Sequence, residues 1–402
     1  MSLLTPRSVR ISGWGSYAPD LVLTNADLEK LVDTSDEWIR TRTGIRERRV
    51  AGPHETTASM AARAGRQAIS VAGLDVDDID LIVVATLTPD HLTPATAVLV
   101  KEAIGNTTAV AFDLGAACSG FVFAYTAADA YIRSGMYRNV LVIGAELLTR
   151  FLDFSDRNTC ILFGDGAGAV VLSASDEEAG GMAGMELTTD PDGAYMIWIP
   201  AGGSRSPATP GSVASGDHFL RMEGRETYRY ATRTLSSTAL RAIERAGWQP
   251  QDIDLFIPHQ ANVRIIESVA KGLGLPIERM FVNVDRYGNT SAASVGIALA
   301  EAVDSGRVKV GDRIVLVAFG AGFTSGAVAL TWTADPAAAG RAIPHSVPLI
   351  RDPADWHPAD PIPPRLLAVL EAHGHEPSAR VAMARTEAIV VDPQRETREV
   401  PA

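Results

Sequence analysis

Cysteine is the scarcest informative residue in this chain: Cys118 and Cys160 are the only two among 402 positions. Two sulfurs leave no room for a disulfide framework or a cysteine-built zinc site, and they suit a reducing cytoplasm. Long apolar runs are missing as well. No stretch approaches membrane-spanning length, and the opening MSLLTPRSVRISGWG lacks the pattern of a signal peptide. Basic excess is also missing, since 36 Lys and Arg stand against 48 Asp and Glu, a formal charge of -12. That balance excludes generic nucleic-acid binding, and an anionic partner must then be met by a local basic patch. What the chain does have is 46% hydrophobic and 21% charged residues, enough for one large core or two fused ones.

The stretch AFDLGAACSGFVF (Ala111–Phe123) reads as the end of a buried strand, a tight turn at Gly115 and a helix opening at Cys118. Small residues crowd that cysteine, and free N–H groups at a helix start favour its thiolate. Upstream, Val9–Gly15 is a strand, Asn25 caps a short helix, and Thr34 or Ser35 caps DEWIRTRTG, which ends at Gly44. Trp38, Arg42, Arg46, Arg48 and Arg49 cluster there, an indole among guanidinium groups that could stack a base and hold phosphates. Thr57–Ala72 and Ala95–Ile104 read as helices, and Asp80–Thr86 and Asn139–Ala145 as strands buried on both faces. Cys160 lies in an apolar run and reads as structural.

An internal repeat links the two halves. AGLDVDDIDLIVVAT (Ala72–Thr86) resembles AGWQPQDIDLFIPHQ (Ala246–Gln260), an offset of 174, and the same offset carries Leu141–Ile143 onto Val315–Val317. Two stretches sharing one offset indicate duplicated βαβ halves, with helices on both faces of mixed sheets. The expected units are 1–174 with the nucleophile, 175–334 with a histidine and an asparagine, and a 335–402 extension. That extension holds eleven of the 23 prolines and four of the eight histidines, without regular ligand spacing, and could form one short helix at Arg365–His373.

In the second half, strand Asp254–Ile257 delivers His259 to its carboxyl edge, where open α/β sheets commonly bind ligands, and the loop VDRYGNTSAAS carries Asn289. Cys118, His259 and Asn289 then form a candidate set with two readings. The order Cys, His, Asn and the separation of 141 (259 − 118) fit a papain-like hydrolase, but A-C-S-G-F is not the flank of that family.

The other reading is carried by five motifs: TSDEWIRTRTGIRER, DLGAACSGF, DRNTCILFGDGAGA, PHQANVRI and YGNTSAAS. From about Val9 to Trp332 the chain resembles the β-ketoacyl-[acyl-carrier-protein] synthase III family. The resemblance implies an α/β thiolase-like fold with a five-layered αβαβα core, a cytoplasmic homodimer, and no cofactor beyond acyl-CoA as substrate. It implies that Cys118 takes an acyl group from acyl-CoA and that malonyl-acyl carrier protein loses CO2 to supply the carbanion. His259 and Asn289 would steady the enolate, and the amides of Cys118 and Gly322 would form the oxyanion hole. Trp38 and Arg157 would sandwich the adenine, Arg42 would meet the phosphates, and Thr93, Leu148 and Phe163 would line the acyl pocket. An alternative within the same fold is acyl transfer to a hydroxyl or amine, and a further one is a silent scaffold. Arg225, Arg229 and Arg233 lie at i, i+4 and i+8 of one helix, continuing from Arg221, and with Arg264 they form a candidate carrier-protein docking face.

Three departures from the family stand out. Ser325 replaces its usual Trp. Thr93 replaces a phenylalanine of some members, which suggests a longer or branched primer. The extension exceeds the family's length. Together they hint at starter-unit loading for a specialised fatty-acid or polyketide pathway.

Overall fold

The computed structural model describes residues 8–175, 180–335 and 363–372. Two large sheets share one plan. The first runs in the order β1 (Ser8–Tyr17), β5 (Asp165–Ser175), β4 (Asn139–Leu147), β2 (Leu81–Ala85) and β3 (Val110–Leu114). The second runs β6 (Gly181–Thr189), β9 (Thr324–Thr331), β8 (Arg313–Gly320) and β7 (Leu255–Pro258). In each, two antiparallel pairings precede a parallel one. The starts of β7 and β8 lie 174 residues after those of β2 and β4 (255 − 81 and 313 − 139). Where β2 pairs with β3 at Ile82, the second sheet keeps only an isolated bridge between Phe256 and Met280.

Helices α2 (Thr57–Val71) and α3 (Thr96–Ile104) cover the outer face of the first sheet. Helices α5 (Gly224–Arg245) and α6 (Val263–Gly272) cover the second. Between the sheets lie α4 (Gly120–Arg133) and α7 (Ala293–Asp304), which touch strands of both. These are the five layers of the thiolase-like fold. The position of α7 explains its composition: ten of its twelve residues are buried, so it is apolar nearly all round.

Several local expectations change. Asn25 is not a cap: Thr24 caps the short helix Asn25–Leu28, and the Asn25 amide donates to Asp36 and to the Ile45 carbonyl. Ser35, not Thr34, caps α1 (Asp36–Thr43), and Gly44 ends it in left-handed backbone. The strand leading to Cys118 is not buried but is a half-exposed sheet edge, with Val110 50% exposed. The sharp bend after it falls at Ala117, with φ 45°, rather than at Gly115. Cys118 sits in a single 3₁₀ turn, Ala117–Ser119, and the α-helix starts at Gly120. Gly320 and Gly326 sit within β8 and β9, so the connection between these strands is only residues 321–323.

Candidate active site

A cavity of about 800 Å³ opens between the two halves, and Cys118, His259 and Asn289 all line it. Each arrives on a different element. Cys118 comes from the bend before α4, His259 follows β7, and Asn289 precedes α7. A papain-like arrangement has no counterpart in this duplicated layering.

The supports of each side chain fix which atoms it offers. Cys118 is buried, and Gly320 of β8 packs so closely that a side chain there would reach 2.6 Å from the Cys118 amide nitrogen. His259 is 3% exposed, and its Nδ1 lies 2.6 Å from Ser294 Oγ. Ser294 Oγ accepts from the Gln260 amide at 3.5 Å, so its own proton can go to Nδ1. When Ser294 donates to Nδ1, Nε2 carries the ring proton, and His259 lines the cavity. Asn289 Oδ1 accepts from the Ser291 amide at 2.9 Å, which leaves its NH₂ group for a ligand. Two neutral donors therefore face the sulfur's cavity.

The electrostatics contradict the expectation of a standing thiolate. Burial pushes the Cys118 thiol up to about 12, reinforced by the charge of Glu146 and opposed by the neighbouring Ser291 hydroxyl. The helix start does not outweigh the loss of water. Burial also pushes His259 down to about 3, so its imidazole is neutral over the physiological range.

At the mouth, Trp38, Arg42, Arg225 and Arg264 line the same cavity. The Arg42 guanidinium lies 4.4 Å from the Trp38 ring centroid, and Arg157 lies 5.3 Å from it while donating to the Asp33 carbonyl. Arg48 is not available to phosphate: it is fully buried and donates to the carbonyls of Leu23 and Ile161. Leu148 and Phe163 line the inner part, whereas Thr93 is exposed on a loop outside the cavity of its own chain. The arginine series divides. Arg229 and Arg233 border a separate hollow with Asp190, Asp192 and Glu226, and Arg229 pairs with Glu226 at 3.2 Å. Arg221 pairs with Asp217. Ser325 is buried, its hydroxyl 3.0 Å from that of Thr238 on α5. Cys160 is buried in an apolar cluster, as expected for a structural residue.

Sequence reading missed Gly320, Ser291, Ser294 and Glu146. Only the buried run GAE inside an apolar strand could have flagged the last.

The chain is similar to known proteins of one family. Residues 112–191 match the family described as 3-oxoacyl-[acyl-carrier-protein (ACP)] synthase III, and 243–332 match its C-terminal part. A β-ketoacyl-[acyl-carrier-protein] synthase III of Roseiflexus sp. (strain RS-1) is 53% identical over 324 residues, covering 81% of this chain and 98% of that protein. The crystal structure of the Aquifex aeolicus VF5 3-oxoacyl-[acyl-carrier-protein] synthase III superposes with a TM-score of 0.75 at 46% identity, covering 81% of this chain and all of that one. The priming β-ketosynthase of the R1128 polyketide biosynthetic pathway superposes with a TM-score of 0.78 at 37% identity, covering 84% and 99%.

Proposed function

Because the chain belongs to the β-ketoacyl-[acyl-carrier-protein] synthase III family of condensing acyltransferases, we propose that Cys118, His259 and Asn289 carry its two half-reactions. In the first, the Cys118 sulfur attacks an acyl-CoA thioester and CoA leaves. The Cys118 and Gly322 amides receive the oxyanion. In the second, the malonyl thioester of an acyl carrier protein loses CO2, and the enolate oxygen rests on His259 Nε2–H and the Asn289 amide. The resulting carbanion attacks the acyl-cysteine carbonyl and frees the sulfur. Neutral donors in a water-poor cavity stabilise developing charge without reorganising, so no resident cofactor is needed. The observation that carries this reading is the shared cavity in which two differently supported neutral donors face one buried cysteine.

Trp38, Arg42 and Arg157 suit a nucleotide at the entrance, and Arg225 and Arg264 suit an acidic carrier protein. Thr93, Leu148 and Phe163 are the candidate acyl-pocket residues, with Thr93 reaching the pocket of a second copy. The half-exposed edge β3 supports a homodimer, since an open strand edge is a template for pairing. Threonine at 93 favours a longer or branched primer, and a polyketide starter unit is in keeping with the R1128 relative. A cytoplasmic setting would keep both thiols reduced.

The test is intact-mass loading from a panel of acyl-CoAs, followed by malonyl-acyl carrier protein. Wild type should gain one acyl group and then release a β-ketoacyl product, whereas C118A should gain none. N289A should load but condense on the order of 10²–10³-fold more slowly, the usual loss for one oxyanion donor. Normal condensation by N289A would refute its role.

A further inference from the structure

Glu146, near the end of β4, is fully buried and is not one of the residues to which the two half-reactions are assigned. Its carboxylate accepts from Thr88 Oγ1 at 2.6 Å, Thr86 Oγ1 at 3.4 Å and the Leu87 amide at 3.1 and 3.3 Å. It also accepts from the Ser291 hydroxyl at 3.2 Å. Ser291 lines the same cavity as Cys118, and its hydroxyl is among the groups that lower the Cys118 thiol against the effect of burial. Ser291 is held at φ 47°, and Ala117 on the other flank of the cysteine at φ 45°. Non-glycine residues hold this backbone conformation only under constraint, and such constraint gathers at functional sites.

Resting on the assignment of Cys118 as nucleophile, we propose that Ser291 and Glu146 form a proton relay serving its sulfur. As sulfur bonds to the acyl carbon, the S–H bond breaks and its proton passes to Ser291 Oγ. The Ser291 hydroxyl proton passes to Glu146 Oε1. When the acyl–S bond to CoA breaks, the proton returns by the same path to the departing CoA sulfur, and the carboxylate is restored. In this relay Ser291 is the group that meets the sulfur. Glu146 acts through it, as a positioning residue.

Charge favours this route over the imidazole. A thiolate beside a buried carboxylate would place two negative charges in one water-poor space, and moving the proton to Glu146 leaves one. Cys118 is the titratable group that feels the charge of Glu146, and His259 lines the same cavity as Cys118. Burial pushes Glu146 up to about 7 and His259 down to about 3, so the carboxylate is the better acceptor.

The experiment measures the rate of Cys118 acylation by acyl-CoA across pH, by intact mass with the modified residue mapped. Only ionised Glu146 accepts, so the wild-type rate should rise as pH passes about 7. E146Q should lose that rise and load on the order of 10²-fold more slowly at neutral pH, the scale of a lost proton-transfer group. E146D should recover part of it. An unchanged profile in E146Q overturns the relay. If E146Q fails to fold, S291A decides: it keeps the carboxyl, cuts the link and should show the same flattened profile, and a wild-type profile there overturns the relay instead. Acyl groups mapped away from Cys118 would sink the nucleophile assignment, a separate result.

Discussion

Gly320 is the point where the second sheet presses on Cys118, the proposed nucleophile of the first half. An added methyl would meet the backbone of Cys118, Ala116 and Ser119, none of which is a flexible side-chain end. Overpacking of this kind costs about 1–3 kcal/mol, and here it falls on the turn that aims the sulfur. G320A should therefore lower Cys118 acylation at least tenfold while costing only a few degrees of Tm. Loading at the wild-type rate would show that the turn can yield. His259 and Asn289 show the same economy. Each spends one polar atom on a neighbour, Ser294 Oγ or the Ser291 amide, and thereby fixes which atom is left for the substrate.

At the scale of elements, α5 presents its arginines to two places. Arg225 stands at the cavity mouth together with Arg264 of α6, whereas Arg229 and Arg233 line the separate hollow beside three carboxylates. Charge reversal should follow that division. Arg225→Glu with Arg264→Glu should raise the KM for malonyl-acyl carrier protein at least tenfold and steepen with falling salt. Arg229→Glu with Arg233→Glu should change it little, because Arg229 already spends its charge on Glu226. Loading from acyl-CoA reports separately, and equal loss of both half-reactions in the first pair would assign those arginines to CoA instead. A helical spacing of four places residues on neighbouring positions of one face, but it does not say which neighbouring element borders each one.

For the molecule as a whole, the extension is the feature outside the family's plan. Its helix α8 (Pro364–Ala372) buries Leu366, Val369 and Leu370 in the cluster that also holds Leu148, Ile161 and Phe163. Three such side chains contribute roughly 1.5–3 kcal/mol each by burial, less the ordering of the helix. A chain ending at Asp335 should melt several degrees lower and bind apolar dyes more strongly, while still acylating Cys118. Unchanged melting would mean that α8 adds nothing to stability. The remainder of the 335–402 extension, with its four histidines, lies outside the described residues.

By itself the sequence determined the layers and the duplication, and it singled out Cys118, His259 and Asn289 as a candidate set. The 174-residue offset survives as strands β2 and β4 laid onto β7 and β8, and alternating buried strands and amphipathic helices are local signals that composition carries. Long motifs around Cys118, His259 and Asn289 marked the three residues that the fold brings to one cavity. Tertiary structure alone decided the rest. Whether Cys118 is a thiol or a thiolate depends on the water and charge around it, which come from Glu146, Ser291 and β8, far away in the chain. Arg48 and Arg42, six residues apart and alike in sequence, part company because one points into the core and the other over Trp38. Local propensity sets what a segment becomes, but desolvation and partner choice are properties of the space between segments, and only the packed fold defines that space.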